Sequence, residues 1–217
     1  MSALGRKIAS GLYGRLEFDF ACERGHAFSE YYVHGVVNEL VAARVDPAKE
    51  IIHAGYALPA IQSGPGRGRP RELDFAVTSR ASGGVKACIE VKWAESSHAD
   101  EERVARDICR LALAKRAHPG ADCLFVLAGG KTKVRKLLDT GVLAQTTLPS
   151  GAVRSGLLSY PYSSTARSFR TDSRLPAQLR QKLMEGVPKI PQSIPTYLCK
   201  PSHADTPDWM VLVWRVG

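Results

Sequence analysis

The segment CIEVKWAES, residues 88–96, alternates between apolar and polar positions along its first half. Successive side chains of a β-strand point to opposite faces, so Ile89 and Val91 would share one face of the strand. Glu90 and Lys92 would then lie together on the other face. This pattern predicts a buried strand that carries a charge pair on one side.

The preceding segment LDFAVTS, residues 73–79, has the same alternation and leaves Asp74 on its polar face. Residues 80–84, RASGG, are typical of a turn. Two strands joined by such a turn predict an antiparallel hairpin. In that hairpin Asp74, Glu90 and Lys92 converge on one face.

The hairpin lies within an ordered series of predicted elements. Apolar residues recur at helical spacing in residues 28–44, where Ser29 is a suitable N-cap, and again in residues 100–117. Apolar runs in residues 50–60 and 122–130 are typical of strands. The order helix, three strands, helix, strand predicts an α/β fold with a mixed sheet flanked by helices.

We expect a single domain over residues 1–217, with a core at about 28–130 and a less regular elaboration at about 131–217. The last two apolar segments, residues 194–201 and 208–216, predict a terminal β-hairpin that extends the sheet at an edge.

Composition limits the class of protein and its partners. Thirty Lys and Arg against 21 Asp and Glu give a net charge of +9, which favours a polyanionic partner but also serves solubility. The five cysteines are scattered without a CxxC pair, which argues against a disulfide framework or a zinc knuckle and fits a reducing cytoplasm. No apolar run approaches the roughly 20 residues that cross a bilayer, so we expect no membrane partner.

A cluster of two carboxylates and a lysine has a chemical implication. Carboxylates held a few ångströms apart repel each other and are costly to desolvate, so a cation usually compensates them. Magnesium prefers such hard oxygen ligands, and manganese is a substitute. A bound metal polarises a phosphoryl oxygen and lowers the pKa of bound water, while lysine orients that water or offsets developing charge. The cluster predicts hydrolysis of a phosphodiester.

Asp74 followed by Glu90-Val91-Lys92 on the next strand resembles the motif of the PD-(D/E)XK nuclease superfamily, which includes restriction-endonuclease-like folds. The resemblance covers about residues 28–130 and says little about the first 25 residues or the C-terminal third. It implies that Asp74, Glu90 and the backbone carbonyl of Val91 bind the metal. It also implies that Lys92 serves the attacking water.

The chain departs from the usual motif at Leu73, where proline often precedes the aspartate. Many members of the superfamily also present a glutamate from the first helix. Helix geometry puts Glu30 about 60° from the centre of the apolar face of that helix and Glu39 about 120° from it. We therefore expect Glu30 in the site and keep Glu39 as the alternative.

Basic residues lie in the Gly- and Pro-rich segment 62–72 and at the start of the helix that follows residues 122–130. Loops on a rigid scaffold commonly bind ligands, and amides at a helix start can contact phosphate. Plain solvation of these charges is the alternative. The predicted nucleic-acid contacts are Arg67, Arg69, Arg71, Lys131 and Lys133.

The function predicted from the sequence is that of a metal-dependent nuclease acting on DNA, with RNA less favoured. A catalytically inactive nucleic-acid-binding module of the same fold, acting in a larger assembly, is the alternative. An unrelated α/β interaction protein remains if the charges do not converge. The sequence leaves open a homodimer or a protein partner. Asp107 and Arg110 lie on the helix after residues 88–96 and could touch the site or a neighbouring subunit, but we expect a surface salt bridge.

Overall fold

The computed structural model describes residues 3–62, 69–147, 149, 153–154, 156–158, 167–199 and 208–217. The helices within these ranges are α1 (Ala3–Ala21), α2 (Glu30–Ala42), α3 (Glu101–Ala117), α4 (Lys131–Leu138), α5 (Thr171–Arg174) and α6 (Ala177–Gly186). The strands are β1 (Glu50–Tyr56), β2 (Leu73–Ser79), β3 (Val85–Trp93), β4 (Asp122–Gly130), β5 (Thr146–Thr147), β6 (Val153–Arg154), β7 (Arg167–Arg170), β8 (Ser193–Cys199) and β9 (Trp209–Val216).

Seven strands form one mixed sheet in the order β1-β2-β3-β4-β9-β8-β7. Only the β3–β4 pair of this described sheet is parallel, and every other neighbouring pair is antiparallel. The α/β class and the mixed sheet are therefore confirmed. The predicted β2–β3 hairpin and the antiparallel pairing of the last two long strands, β8 and β9, are also present.

As predicted, β8 and β9 extend the sheet beyond β4, but the edge of the sheet is not formed by β9. This strand lies between β4 and β8, and the described edge of the sheet on that side is β7. Val213 and Trp214 are neighbours on β9, point to opposite faces, and are both fully buried. A strand that is apolar on both faces is stable in the interior of a sheet, where helices cover both sides.

Helices cover both faces of the sheet, as expected. α1 and α2 pack on one face, where Leu12 and Val37 contact the apolar residues of the central strands, such as Val91. α3, α4 and α6 pack on the opposite face, where Ile108 lies in the same core as Cys88. Glu90 alternates with Val91 along β3, so its side chain points toward the α3 face.

Capping side chains define where the two helices nearest the β2–β3 hairpin begin. Ser29 caps α2 by accepting a hydrogen bond from the backbone N–H of Tyr32 at 3.2 Å. Asp100 caps α3 in the same way through the N–H of Arg103 at 2.8 Å. These caps satisfy amides that have no partner within the first turn, so each helix starts at a fixed residue beside the sheet.

Helix α1 is the longest of the elements that the sequence prediction missed, which also include β5, β6, β7 and α5. Its buried side chains Ile8, Leu12 and Leu16 recur every four residues and pack against β9 and α2. Asp19, near its end, is 3% exposed and accepts a hydrogen bond from Tyr32 Oη at 2.5 Å. The contact fixes α1 to the first turn of α2.

Among the described residues, no helix combines the length and the apolar character needed to cross a membrane.

Candidate active site

The β2–β3 hairpin determines where Asp74 and Glu90 lie. Phe75 pairs with Ile89, and one residue further along each strand Asp74 faces the position of Glu90. The paired ladder ends at this point. Asp74 Oδ2 instead accepts a hydrogen bond from the backbone N–H of Val91 at 2.7 Å. The carboxylate of Asp74 is thereby held against β3 beside Glu90.

Glu90 is a carboxylate buried between β3 and α3, with 2% of the residue exposed. Burial raises the pKa of Glu90 well above its ordinary value, and the negative charges of Asp107 and Asp74 raise it further. Arg110 opposes this effect, but its Nη1 atom is 3.9 Å from Glu90 Oε1. That oxygen accepts no hydrogen bond from the described part of the chain. Glu90 therefore has a buried oxygen without a hydrogen bond, and Arg110 compensates its charge only from a distance.

Lys92 lies among carboxylates at the end of β3. Its Nζ atom is 2.9 Å from Asp107 Oδ2 and 3.8 Å from Glu30 Oε1, and it donates to the carbonyl of Val91 at 3.4 Å. Burial lowers the pKa of Lys92, but the charges of Asp107, Asp74 and Glu90 outweigh burial and raise the pKa above its usual value. The amine is therefore a cation at neutral pH.

The choice between Glu30 and Glu39 is clear from their contacts. Glu30 Oε2 accepts a hydrogen bond from Ser96 Oγ at 2.9 Å, and its other oxygen approaches Lys92. The side chain of Glu39 is 65% exposed and its nearest cation is Arg15, at 3.8 Å. The helix geometry predicted this outcome because Glu30 lies nearer the apolar face that packs on the sheet.

The prediction that Asp107 and Arg110 form a surface salt bridge is wrong. Their side chains are 6% and 18% exposed, and Arg110 Nη1 lies 3.4 Å from Asp107 Oδ1. The spacing of apolar residues along this helix already indicated that Asp107 is buried. Asp107 follows Val104 by three residues and precedes Leu111 by four, and both of these are fully buried. Residues at such spacings share one helix face, which puts Asp107 on the face that packs against β3.

An open groove of about 480 Å³ gives access to the Asp74 side of the cluster. It lies between α2 and the strands β1 and β2. His34 contributes to its wall, and the Nε2 atom of this residue is 3.8 Å from Asp74 Oδ2. The residues that line the groove include His34, Gly35, Asn38, Gly55, Arg69 and Asp74.

The three arginines predicted to contact nucleic acid differ in their surroundings. Arg67 lies outside the described residues. Arg69 is 82% exposed, lines the groove, and pairs with Glu72 at 2.6 Å. Arg71 is half-buried and donates from Nη2 to the carbonyl of Glu185 at 2.5 Å.

Burial lowers the pKa of Arg71, and the positive charges of Arg110 and Arg106 lower it further. Arg71 is thus close enough to Arg106 and Arg110 of α3 to be affected by their charges, and of these arginines Arg110 lies 3.9 Å from Glu90. Unlike Arg69, Arg71 is already engaged with a backbone carbonyl of the chain.

Lys131 and Lys133 lie in the first turn of α4, which begins directly after β4. Because β3 and β4 are parallel, their C-terminal ends lie side by side. Helix α4 therefore starts close to the end of β3, where Lys92 lies. We predicted that amides at this helix start contact phosphate, but two of them already donate hydrogen bonds to acceptors of the chain itself. The N–H of Gly130 donates to Glu95 Oε1 at 2.6 Å, and that of Lys131 donates to the carbonyl of Asp208 at 2.9 Å. The amides of Gly130 and Lys131 are therefore already engaged within the chain.

Within the described ranges, no group of three or more His, Cys, Asp and Glu side chains has the arrangement of a metal site. Magnesium does not need such a group, because one or two carboxylates with waters and substrate oxygens complete its shell. Asp74 and Glu90 are two adjacent carboxylates, and the oxygen of Glu90 lacks a partner. The carbonyl of Val91 lies on the same strand. This donor set consists of hard oxygens and fits Mg²⁺ or Mn²⁺.

Comparison with protein-family models, with curated proteins and with solved structures finds no match for the chain. Function is therefore inferred from the side chains at the adjoining ends of β2 and β3. The cluster there contains Asp74, Glu90 and Lys92 from the two strands. Glu30 joins it from α2, and Asp107 and Arg110 join it from α3.

Proposed function

We propose that the protein is a metal-dependent nuclease that hydrolyses phosphodiester bonds of DNA, with RNA as the less favoured substrate. The observation that carries this proposal is the cluster of Asp74, Glu90 and Lys92, held on neighbouring strands with Glu30 beside them. The element order from α2 to β4 agrees with the restriction-endonuclease-like core of the PD-(D/E)XK superfamily. That order supports the proposal independently of the three side chains.

The metal ligands in this proposal are the carboxylates of Asp74 and Glu90 and the carbonyl of Val91. Magnesium bound there supplies a Lewis acid for the phosphoryl oxygen and a water of lowered pKa. Asp74 is already oriented by the N–H of Val91, so this carboxylate needs little rearrangement. Preorganised charge of this kind is the main source of electrostatic stabilisation in enzymes.

Lys92 acts as a cation in this scheme. Because neighbouring carboxylates raise the pKa of Lys92, its amine donates hydrogen bonds at neutral pH and cannot accept a proton. It orients the attacking water and offsets the negative charge that develops on the phosphate oxygens. Glu30, fixed by Ser96 at 2.9 Å, limits the positions that the lysine amine can take.

The basic surface supports nucleic acid as the substrate. The net charge is +9, and Arg69 lines the groove that leads to Asp74. Lys131 and Lys133 lie just beyond β4, beside the C-terminal end of β3. Cationic side chains around a phosphodiester site bind the backbone of DNA without reading its sequence.

A second candidate is a nucleic-acid-binding module of the same fold that does not cleave. The observation that favours it is the 2.9 Å pair between Lys92 and Asp107, which engages the amine with an internal carboxylate. Such a module would retain DNA in a salt-sensitive manner and leave it intact.

The deciding experiment incubates the purified chain with single-stranded DNA, double-stranded DNA and RNA in Mg²⁺ or Mn²⁺, with EDTA as the metal-free control. We expect metal-dependent cleavage, and a loss of at least about 100-fold in Lys92→Ala. Lys86→Ala is the matched control, because Lys86 lies on the same strand with an exposed side chain. Retention of DNA without cleavage under all these conditions would establish the binding module instead.

A further inference from the structure

Helix α3 contributes a buried charge pair to the cluster, which the sequence motif does not contain. Asp107 and Arg110 are one turn apart and both point toward β3. Arg110 Nη1 lies 3.4 Å from Asp107 Oδ1 and 3.9 Å from Glu90 Oε1, so it lies between the two buried carboxylates. The other oxygen of Asp107 faces Lys92. A continuous chain of alternating charges thus runs from Glu90 through α3 to Lys92.

Asp107 is the acid nearest to the amine of Lys92. The distance from Nζ to Asp107 Oδ2 is 2.9 Å, against 3.8 Å to Glu30 Oε1. Asp107 is fixed by the packing of α3 and is 4% exposed, whereas the side chain of Glu30 is 26% exposed at the mouth of the site. The more rigid and closer partner determines where the lysine amine lies.

This arrangement is a poor device for stability alone. Desolvation of a buried ion pair offsets much of its Coulombic gain, and apolar residues of similar volume are often as stabilising or more so. Burial raises the pKa of Asp107 despite the opposing charges of Lys92 and Arg110, in agreement with an incompletely compensated carboxylate. A buried network with such a cost is expected where charges must be held at defined positions.

We propose that Asp107, braced by Arg110, is a positioning residue that holds the amine of Lys92 for the reaction; this inference rests on the proposed nuclease function. Asp107 acts through Lys92 and holds the amine on the α3 side. Without it, the amine would turn toward Glu30, Asp74 and Glu90. There it would compete with a cation for the carboxylates.

The first test is steady-state cleavage of DNA in Mg²⁺ by Asp107→Asn, which removes the charge and preserves the shape. We expect kcat to fall at least about 10-fold with KM within about twofold, because DNA binding does not use Asp107. Glu102→Gln is the matched control on α3, since that carboxylate pairs with Arg106 and Lys182 and not with Lys92. A kcat of Asp107→Asn equal to that of the wild type would overturn the inference and leave the nuclease function standing.

The second test needs neither metal nor activity. Thermal unfolding is measured in EDTA for wild type, Asp107→Asn, Lys92→Met and the double variant. Asp107→Asn should lower Tm by about 5 °C when Lys92 is present, since the buried amine loses its closest counter-charge and keeps only more distant carboxylates such as Glu30 at 3.8 Å. In the Lys92→Met background the same change should leave Tm unchanged or raise it, because it removes a buried carboxylate that has lost Lys92 and keeps only Arg110 at 3.4 Å. Equal Tm shifts in both backgrounds would refute the Asp107–Lys92 pairing whether or not the protein cleaves DNA.

Discussion

Glu90 occupies a site where its negative charge is unfavourable in the absence of a cation. Burial raises its pKa, Asp107 and Asp74 repel its charge, and Arg110 is too distant for a hydrogen bond at 3.9 Å. Polar groups are normally paired when buried, so the unpaired oxygen of Glu90 represents a cost in stability that folding alone does not require. Such costs are typical of residues that bind a ligand.

At the residue scale this cost can be measured as a dependence of stability on pH. Because the folded-state pKa of Glu90 is raised, its contribution is fully present below the unfolded value of about 4.3 and is lost as pH rises through the folded value. Urea unfolding of wild type and Glu90→Gln in EDTA should therefore give free energies that diverge between pH 5 and pH 8. We expect the variant to be the more stable at pH 8, by on the order of 1 kcal/mol.

Glu39→Gln is the control for that comparison, because the side chain of Glu39 is 65% exposed. Its free energy of unfolding should follow that of the wild type across the pH range. If Glu90→Gln also ran parallel to the wild type, the buried carboxylate would have to be compensated by groups of the protein itself.

At the scale of elements, α1 shows how a helix without a chemical motif can still support the site. Its side chains Ile8, Leu12 and Leu16 are fully buried, and Asp19 binds the hydroxyl of Tyr32 on α2. The first turn of α2 carries Glu30. The position of this glutamate therefore depends on how α1 holds α2 against the sheet.

We expect Leu12→Ala to lower the free energy of unfolding by about 2–5 kcal/mol, since the side chain is fully buried between α1 and its neighbours. Phe18→Ala is the matched truncation on the same helix, where the ring is 61% exposed, and it should cost at most about 0.5 kcal/mol. Urea unfolding of both variants provides the measurement. Similar losses for the two would mean that α1 is not docked as described.

The elements differ in how far the sequence predicts them. The alternation around Asp74 and Glu90 is local, so the β2–β3 hairpin follows from the sequence, whereas the register shift between Val77 and Thr78 does not. The helical spacing of Ile8, Leu12 and Leu16 is a local signal that the prediction overlooked, but which surface this helix covers depends on β9, nearly 200 residues away in sequence. The burial of Asp107 was not expected, for a related reason. A charged pair on a helix is normally solvated, and burial depends on which strand the helix covers.

At the scale of the whole molecule, the net charge of +9 and the arrangement of basic side chains bear on substrate binding. A uniform excess of positive charge would bind DNA equally through any exposed arginine. A directed surface would depend more on arginines beside the cluster, such as Arg69, than on those elsewhere. The two cases differ in the salt dependence of single variants, because each phosphate contact releases condensed counterions.

DNA affinity measured in EDTA by fluorescence anisotropy, from about 50 to about 200 mM salt, separates these cases. For Arg69→Ala we expect weaker binding and a slope of log affinity against log salt that is smaller by about one, since one phosphate contact is lost. Arg44→Ala is the matched control, because exposed Arg44 lies beyond the end of α2 opposite Glu30. Its slope should equal that of the wild type. Equal slopes for all three proteins would mean that phosphates do not pass Arg69, and the substrate path would have to avoid the groove beside Asp74.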